Sequence, residues 1–94
     1  MYNKKYILEK VEEFNGHNYI YDDVEGCVAF PAYFNVGERG WFLYIEDDGW
    51  FQKAHRIHTS TIKNVEYFND MEYEGDYIIV ETNNTRLKFR VIGK

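Results

Sequence analysis

The sequence predicts an all-β domain, a small barrel or sandwich of about six antiparallel strands. Three observations predict it. Short runs of aromatic and β-branched residues recur along the chain, with Gly, Asn and Asp clusters between them. The stretch from Trp41 to Ile62 reads as a central hairpin: Trp41-Phe42-Leu43-Tyr44-Ile45, then Glu46-Asp47-Asp48-Gly49, then Trp50-Phe51-Gln52-Lys53. No amphipathic helical pattern of adequate length lies between the strand runs, which excludes parallel βαβ units.

Length and composition bound the domain. The 94 residues suit one domain spanning 1–94. A chain of this size buries somewhat over ~60% of its unfolded surface, which leaves little stability to spare. Aromatic residues make up 19% of it. Each large ring buries roughly 150–250 Å², so a short chain can still fill a core. Hydrophobic residues at 45% and charged residues at 29% are not a disordered composition.

The single cysteine, Cys27, permits no internal disulfide, as expected of a protein in a reducing compartment. It sits in the apolar run Gly26-Cys27-Val28-Ala29-Phe30 and reads as a small buried hydrophobe. No apolar run approaches the ~20 residues of a membrane span. Tyr6-Ile7-Leu8, after Lys4 and Lys5, is too short for a signal peptide. The expectation is a soluble cytoplasmic protein with no membrane partner.

The N-terminal stretch has two readings. Ile7, Val11 and Phe14 are spaced as on a helix face, so a short N-terminal helix is one alternative. Asn15-Gly16 is a strong two-residue hairpin signal, and Tyr19-Ile20-Tyr21 after it is β-rich. The hairpin is preferred. It would set Phe14 opposite His17 and Val11 opposite Ile20. Asp22 to Gly26 is a polar break, and Cys27 to Phe30 a short strand that Pro31 should end. Val36-Gly37-Glu38-Arg39-Gly40 is a turn with two glycines open to positive φ.

In the central hairpin, a loop from Glu46 to Gly49 would pair Ile45 with Trp50 and Tyr44 with Phe51. A tighter Asp48-Gly49 turn would pair Ile45 with Gln52. The longer loop makes the better aromatic pairs. His55 to Thr61 continues the second strand and bends. Ile62 to Phe68 is a further strand, with Val65 and Tyr67 on one face. At the C-terminus, Tyr77 to Thr82 and Thr85 to Ile92 flank Asn83-Asn84, both tolerant of the left-handed region of a type I′ turn. That turn sets Val80 opposite Leu87, Ile78 opposite Phe89 and Glu81 opposite Arg86. The predicted core contains Leu43, Ile45, Val65, Ile78, Val80, Leu87 and Phe89.

The chemistry in the sequence is sparse. A metal site would need His17, His55 and His58, but His55 and His58 point to opposite faces of a strand. Ser60 and His58 lack a nucleophile-elbow motif, and Ser or Thr after a strand more often satisfies a bend. Gly37-Glu38-Arg39-Gly40 lacks the lysine and spacing of a phosphate loop. No enzyme activity, metal or cofactor is expected. Arg86, Lys88 and Arg90 alternate along one strand, a pattern that also discourages edge-to-edge aggregation. A net charge of −5 argues against direct nucleic-acid binding.

Three segments carry a resemblance. They are Val36-Gly37-Glu38-Arg39-Gly40-Trp41-Phe42, His55-Arg56-Ile57-His58-Thr59-Ser60, and Val80-Glu81-Thr82-Asn83-Asn84-Thr85 leading to Phe89. Together they resemble small proteins of phages and mobile elements of Gram-positive bacteria, with SH3-like or related small β-barrels. The resemblance covers roughly Val36 to Ile92. It implies a protein that acts by binding in the host cytoplasm, for example an inhibitor of a host-defence enzyme such as an anti-CRISPR protein. It assigns no functional residue.

Two functions are therefore expected as alternatives. The first is a non-catalytic binding protein that inhibits or adapts a partner through an acidic surface. Its residues would be Glu46, Asp47, Asp48, Glu66, Asp70, Glu72, Glu74 and Asp76, with Asp22, Asp23 and Glu25 in support. The partner would be a basic or nucleic-acid-binding protein; a homodimer is the other association considered. The second is a small-ligand or nucleotide-binding module using Arg39, Trp41, Trp50, Tyr77, Arg86, Lys88 and Arg90.

Overall fold

The computed structural model describes residues 5–70 and 75–93. Its strands are β1 (Lys5–Glu13), β2 (Val28–Tyr33), β3 (Arg39–Asp47), β4 (Gln52–Asp70), β5 (Gly75–Thr82) and β6 (Thr85–Gly93), with one 3-10 turn at Tyr19–Tyr21. Each strand pairs antiparallel with the next, and β6 returns to pair with β1. The all-β expectation holds, as one closed barrel rather than a sandwich of separate sheets. Among the described residues no helix is long and apolar enough to cross a membrane.

The barrel is filled by alternate side chains. Leu8, Ala29, Phe42, Ile57, Ile62, Ile78, Val80, Leu87 and Phe89 meet inside it, and Tyr21 and Val24 from the β1–β2 connection join the same cluster. The Phe42 and Phe89 rings pack edge-to-face at 5.2 Å, a favoured geometry for aromatic pairs.

β4 explains how one meander closes. Its 19 residues would reach about 60 Å if straight, since a strand rises roughly 3.3 Å per residue. The longest dimension of the molecule is 33 Å. β4 must therefore bend, and it changes neighbour as it does so. It pairs with β3 up to Thr61 and with β5 from Ile62 onward. The two strands expected from His55 to Thr61 and from Ile62 to Phe68 are one strand.

The C-terminal hairpin has the expected register: Val80 faces Leu87, Ile78 faces Phe89 and Glu81 faces Arg86. Its turn is not type I′, because neither Asn83 nor Asn84 has positive φ. The buried Thr82 hydroxyl closes the turn instead. It accepts the Asn84 and Thr85 backbone N–H groups at 3.2 and 3.0 Å, and the Ser60 hydroxyl at 2.9 Å. A side chain thus takes the place of a strained backbone.

The central hairpin differs in facing and in register. Phe42 is buried and Tyr44 packs against the core, whereas Leu43 and Ile45 are only half-buried on the outer face. Val65 also only borders the core. The run Trp41 to Ile45 is apolar on both faces, so alternation cannot choose between them. The neighbours decide: Phe42 lies opposite Pro31 on β2 and Ile57 on β4. Asp47 pairs with Gln52 and Ile45 with Ala54, so the loop runs from Asp48 to Phe51. Neither expected register occurs.

Residues 6–13 are strand rather than helix, but they do not pair with residues 17–21. β1 finds long-range partners in β2 and β6. Asn15 instead ties down the far turn through Asn83 O and Asn84 Oδ1. Val24, inside the polar break, is fully buried. Pro31 lies within β2 and does not end it. On β3 its partner is Phe42, and among the described residues β1 pairs with β2 only at Tyr6↔Ala29 and Ile7↔Val28. Of the two turn glycines, Gly37 has positive φ but Gly40 does not. A Cβ on Gly40 would stand 2.5 Å from both Tyr33 O and Ile62 Cδ1. Close approach is what requires glycine at position 40.

Candidate functional site

The β3–β4 hairpin presents the strongest surface feature. Trp50 is 89% exposed and Phe51 77% exposed at its tip. Such rings are normally buried, and exposed aromatic patches mark interaction sites. The acids around them build the turn. Asp48 Oδ1 accepts the Phe51 and Trp50 backbone N–H groups at 2.8 and 2.9 Å. Asp47 accepts the Gly49 N–H at 2.9 Å and the Gln52 side-chain amide at 3.1 Å. These bonds favour the ionised carboxylates and lower the pKa of both. Glu46 pairs with His55 at 2.9 Å, and the His55 ring stacks on Tyr44.

A cleft of about 510 Å³ runs beside this hairpin, lined by Cys27, Val28, Phe30 and Ile45 and rimmed by Lys5, Asp47 and Gln52. Burial pushes the Cys27 thiol pKa up, and the charges of Asp23 and Glu46 push it further. The thiol donates to Asp23 O at 3.1 Å. It is held protonated, the opposite of what a nucleophilic cysteine needs. The same two carboxylates act on Tyr44, after burial, to raise its pKa. Asp23 and Glu46 therefore both lie near Cys27 and Tyr44.

Glu66 and Asp76 do not join them. Glu66 is exposed on β4 and Asp76 begins the β5 side of the next hairpin, at the opposite end of β4 from Glu46 to Asp48. The backbone of Asp70 pairs with Gly75 in that second hairpin. Glu72 and Glu74 lie outside the described residues.

The residues of the small-ligand alternative fall into separate places. Tyr77, Arg86, Lys88 and Arg90 share the outer face of β5 and β6, with Lys88 and Arg90 over the Tyr77 ring at 4.7 and 5.4 Å. Their charges are met from β1. Arg86 pairs with Glu12 at 3.3 Å, while Lys88 and Arg90 both pair with Glu9. Sequence reasoning missed Glu9 and Glu12: three apart, they would point to opposite faces of a regular strand, and the register shift between Leu8 and Lys10 is not visible in the sequence. Arg39 and Trp41 belong to β3, where Arg39 donates to Thr59 O at 3.0 Å and Arg56 lies over the Trp41 ring at 4.6 Å. Trp50 is at the hairpin tip.

The three histidines are also apart. His17 bridges Glu13 and Asp22 at 2.9 and 2.7 Å, and this raises its pKa, with the Glu13 bond the largest cause. His55 contacts Glu46, and His58 is exposed opposite Trp41. Ser60 belongs to the Thr82 hydroxyl network.

Fold and surface together define a closed six-stranded antiparallel barrel with an aromatic-tipped acidic hairpin. Comparison with protein families, curated proteins and solved structures finds no match to this chain.

Proposed function

We propose that this is a non-catalytic binding protein that inhibits or adapts a partner protein, and that the β3–β4 hairpin makes the primary contact. The observation that carries this reading is the exposure of Trp50 and Phe51 on a turn pinned by Asp48. A pre-ordered aromatic pair loses little conformational freedom on binding, and Trp is enriched at the energetic centres of interfaces. Glu46, Asp47 and Asp48 beside it, with Asp23 nearby, favour a basic partner and would speed its encounter. The resemblance to small phage and mobile-element proteins supports a cytoplasmic host-defence enzyme, of the kind anti-CRISPR proteins inhibit, as the partner class. The ligand-binding alternative has less support, because the basic stripe already has carboxylate partners on β1.

The test places a photo-crosslinking amino acid at position 50 in a Gram-positive host and identifies the captured protein. That protein is then titrated with the parent chain and with Trp50→Ala/Phe51→Ala. The double variant should fold normally and bind at least tenfold more weakly. Raising the salt concentration should weaken the parent's binding. Parent-like affinity in the double variant would overturn the hairpin reading. Parent-like affinity after neutralising Asp70, Glu72, Glu74 and Asp76 would remove the second acidic stretch from the surface.

A further inference from the structure

We propose a second interaction surface, independent of the hairpin tip: the open backbone edge of β4 from Gln52 to His58 takes an extended acidic peptide as an added strand. A strand has two edges. On one, β4 pairs with β3 from Gln52 to Thr61. Pairing with β5 on the other edge starts only at Ile62. Among the described residues no strand covers that second edge before Ile62. Among the described residues, backbone bonds from turns reach β4 at Thr61 and Ile62, and side chains reach its carbonyls at Thr59 and Ser60. Gln52 to His58 thus offers alternate N–H and C=O groups to an incoming chain.

The usual protections of an open edge are few here. No proline or glycine lies between Gln52 and Asp70. The pairing with β3 is regular from Asp47↔Gln52 to Trp41↔His58, and the bulge comes only beyond it. Seven residues of regular edge match a typical strand of about 5–6 residues. The segment is also basic, in a chain whose net charge is −5. Lys53 and Arg56 are exposed, His55 and His58 flank them, and no Asp or Glu occurs from Gln52 to Val65. Two carboxylates face this stretch from β3: Glu46, which pairs with His55, and Asp47, which accepts the Gln52 side-chain amide. Main-chain bonds would supply register, and Lys53 and Arg56 the preference for acidic side chains.

The probe is a displayed library of random ten-residue peptides selected on the intact protein. Enriched peptides should be acidic and rich in β-branched residues. N-methylation at alternate positions of a synthesised winner should weaken binding at least tenfold, and at the intervening positions should not. Peptide binding should slow amide hydrogen exchange within residues 52–58. Lys53→Glu/Arg56→Glu, checked for a parent-like melting temperature, should weaken binding at least tenfold. Trp50→Ala/Phe51→Ala should leave it unchanged, which separates this surface from the hairpin tip. Failure to enrich any peptide, enrichment of basic ones, or indifference to N-methylation would overturn the proposal. So would protection of residues 52–58 that rises with protein concentration alongside dimer formation in sedimentation, since a second copy would then be the occupant.

Discussion

Arg90 grips the Glu9 carboxylate with two guanidinium nitrogens, across the seam where β6 returns to β1 and closes the barrel. Glu9 sits where the β1–β6 register shifts, between Leu8 and Lys10. Lys88 reaches the same carboxylate at 3.1 Å. The Arg90 bond is the largest cause that holds the Glu9 pKa at about 2. The folded value lies below the unfolded one, so the pair stabilises the protein above pH 4.5, and that contribution is lost as pH falls toward 2. Glu9 is partly exposed, and solvent screens the pair. Glu9→Gln should therefore cost about 1 kcal/mol at pH 7. Denaturant melts of parent and variant should differ at pH 7, draw together as pH falls toward 2 and converge only below it, where Glu9 is protonated in the folded protein as well.

The facing of β3 is testable by adjacent substitutions. Phe42 is fully buried, so Phe42→Ala should cost about 3–5 kcal/mol. Leu43→Ala, on the half-buried outer face, should cost under about 2 kcal/mol. Leu87→Ala on β6 should match the larger class, at about 2–5 kcal/mol. Urea denaturation measures all three. A larger loss at Leu43 than at Phe42 would reverse the strand's facing.

Gly40→Ala tests close packing without any change of charge. The added methyl meets a backbone carbonyl, Tyr33 O, that cannot move aside without disturbing β2. The expected cost is about 1–3 kcal/mol, from overpacking alone. Gly40 is not in the left-handed region, so a destabilised variant reports steric clash. An unchanged melting temperature would show that β2 and β4 are further apart than described.

Thr82→Val keeps the shape of a buried side chain and removes its oxygen. The N–H groups of Asn84 and Thr85 and the Ser60 hydroxyl then lose their acceptor. Leaving buried donors unsatisfied costs about 1–3 kcal/mol. Thr82→Ser retains the oxygen and should recover most of that loss in a thermal melt. Equal losses for Val and Ser would assign the effect to the methyl group rather than to the bonds.

What the sequence determined by itself was local. The C-terminal hairpin was legible because a two-residue turn at Asn83-Asn84 sets Val80 opposite Leu87 and Ile78 opposite Phe89, with Arg86, Lys88 and Arg90 alternating on the other face of β6. The basic stripe of Arg86, Lys88 and Arg90 was legible for the same period-two reason. Its neutralisation was not, because Glu9 lies 81 residues from Arg90 and only barrel closure makes them neighbours. Tertiary structure likewise decided β3, whose two apolar faces satisfy alternation equally well; packing against Pro31 and Ile57 broke the tie. It decided the role of Asp47 and Asp48, which read in sequence as a charged surface and in the fold hold the turn that exposes Trp50 and Phe51. Local pattern sets which strands can form. Which of their faces, edges and charges remain available depends on neighbours distant in the chain, and those are assigned only when β1 and β6 meet.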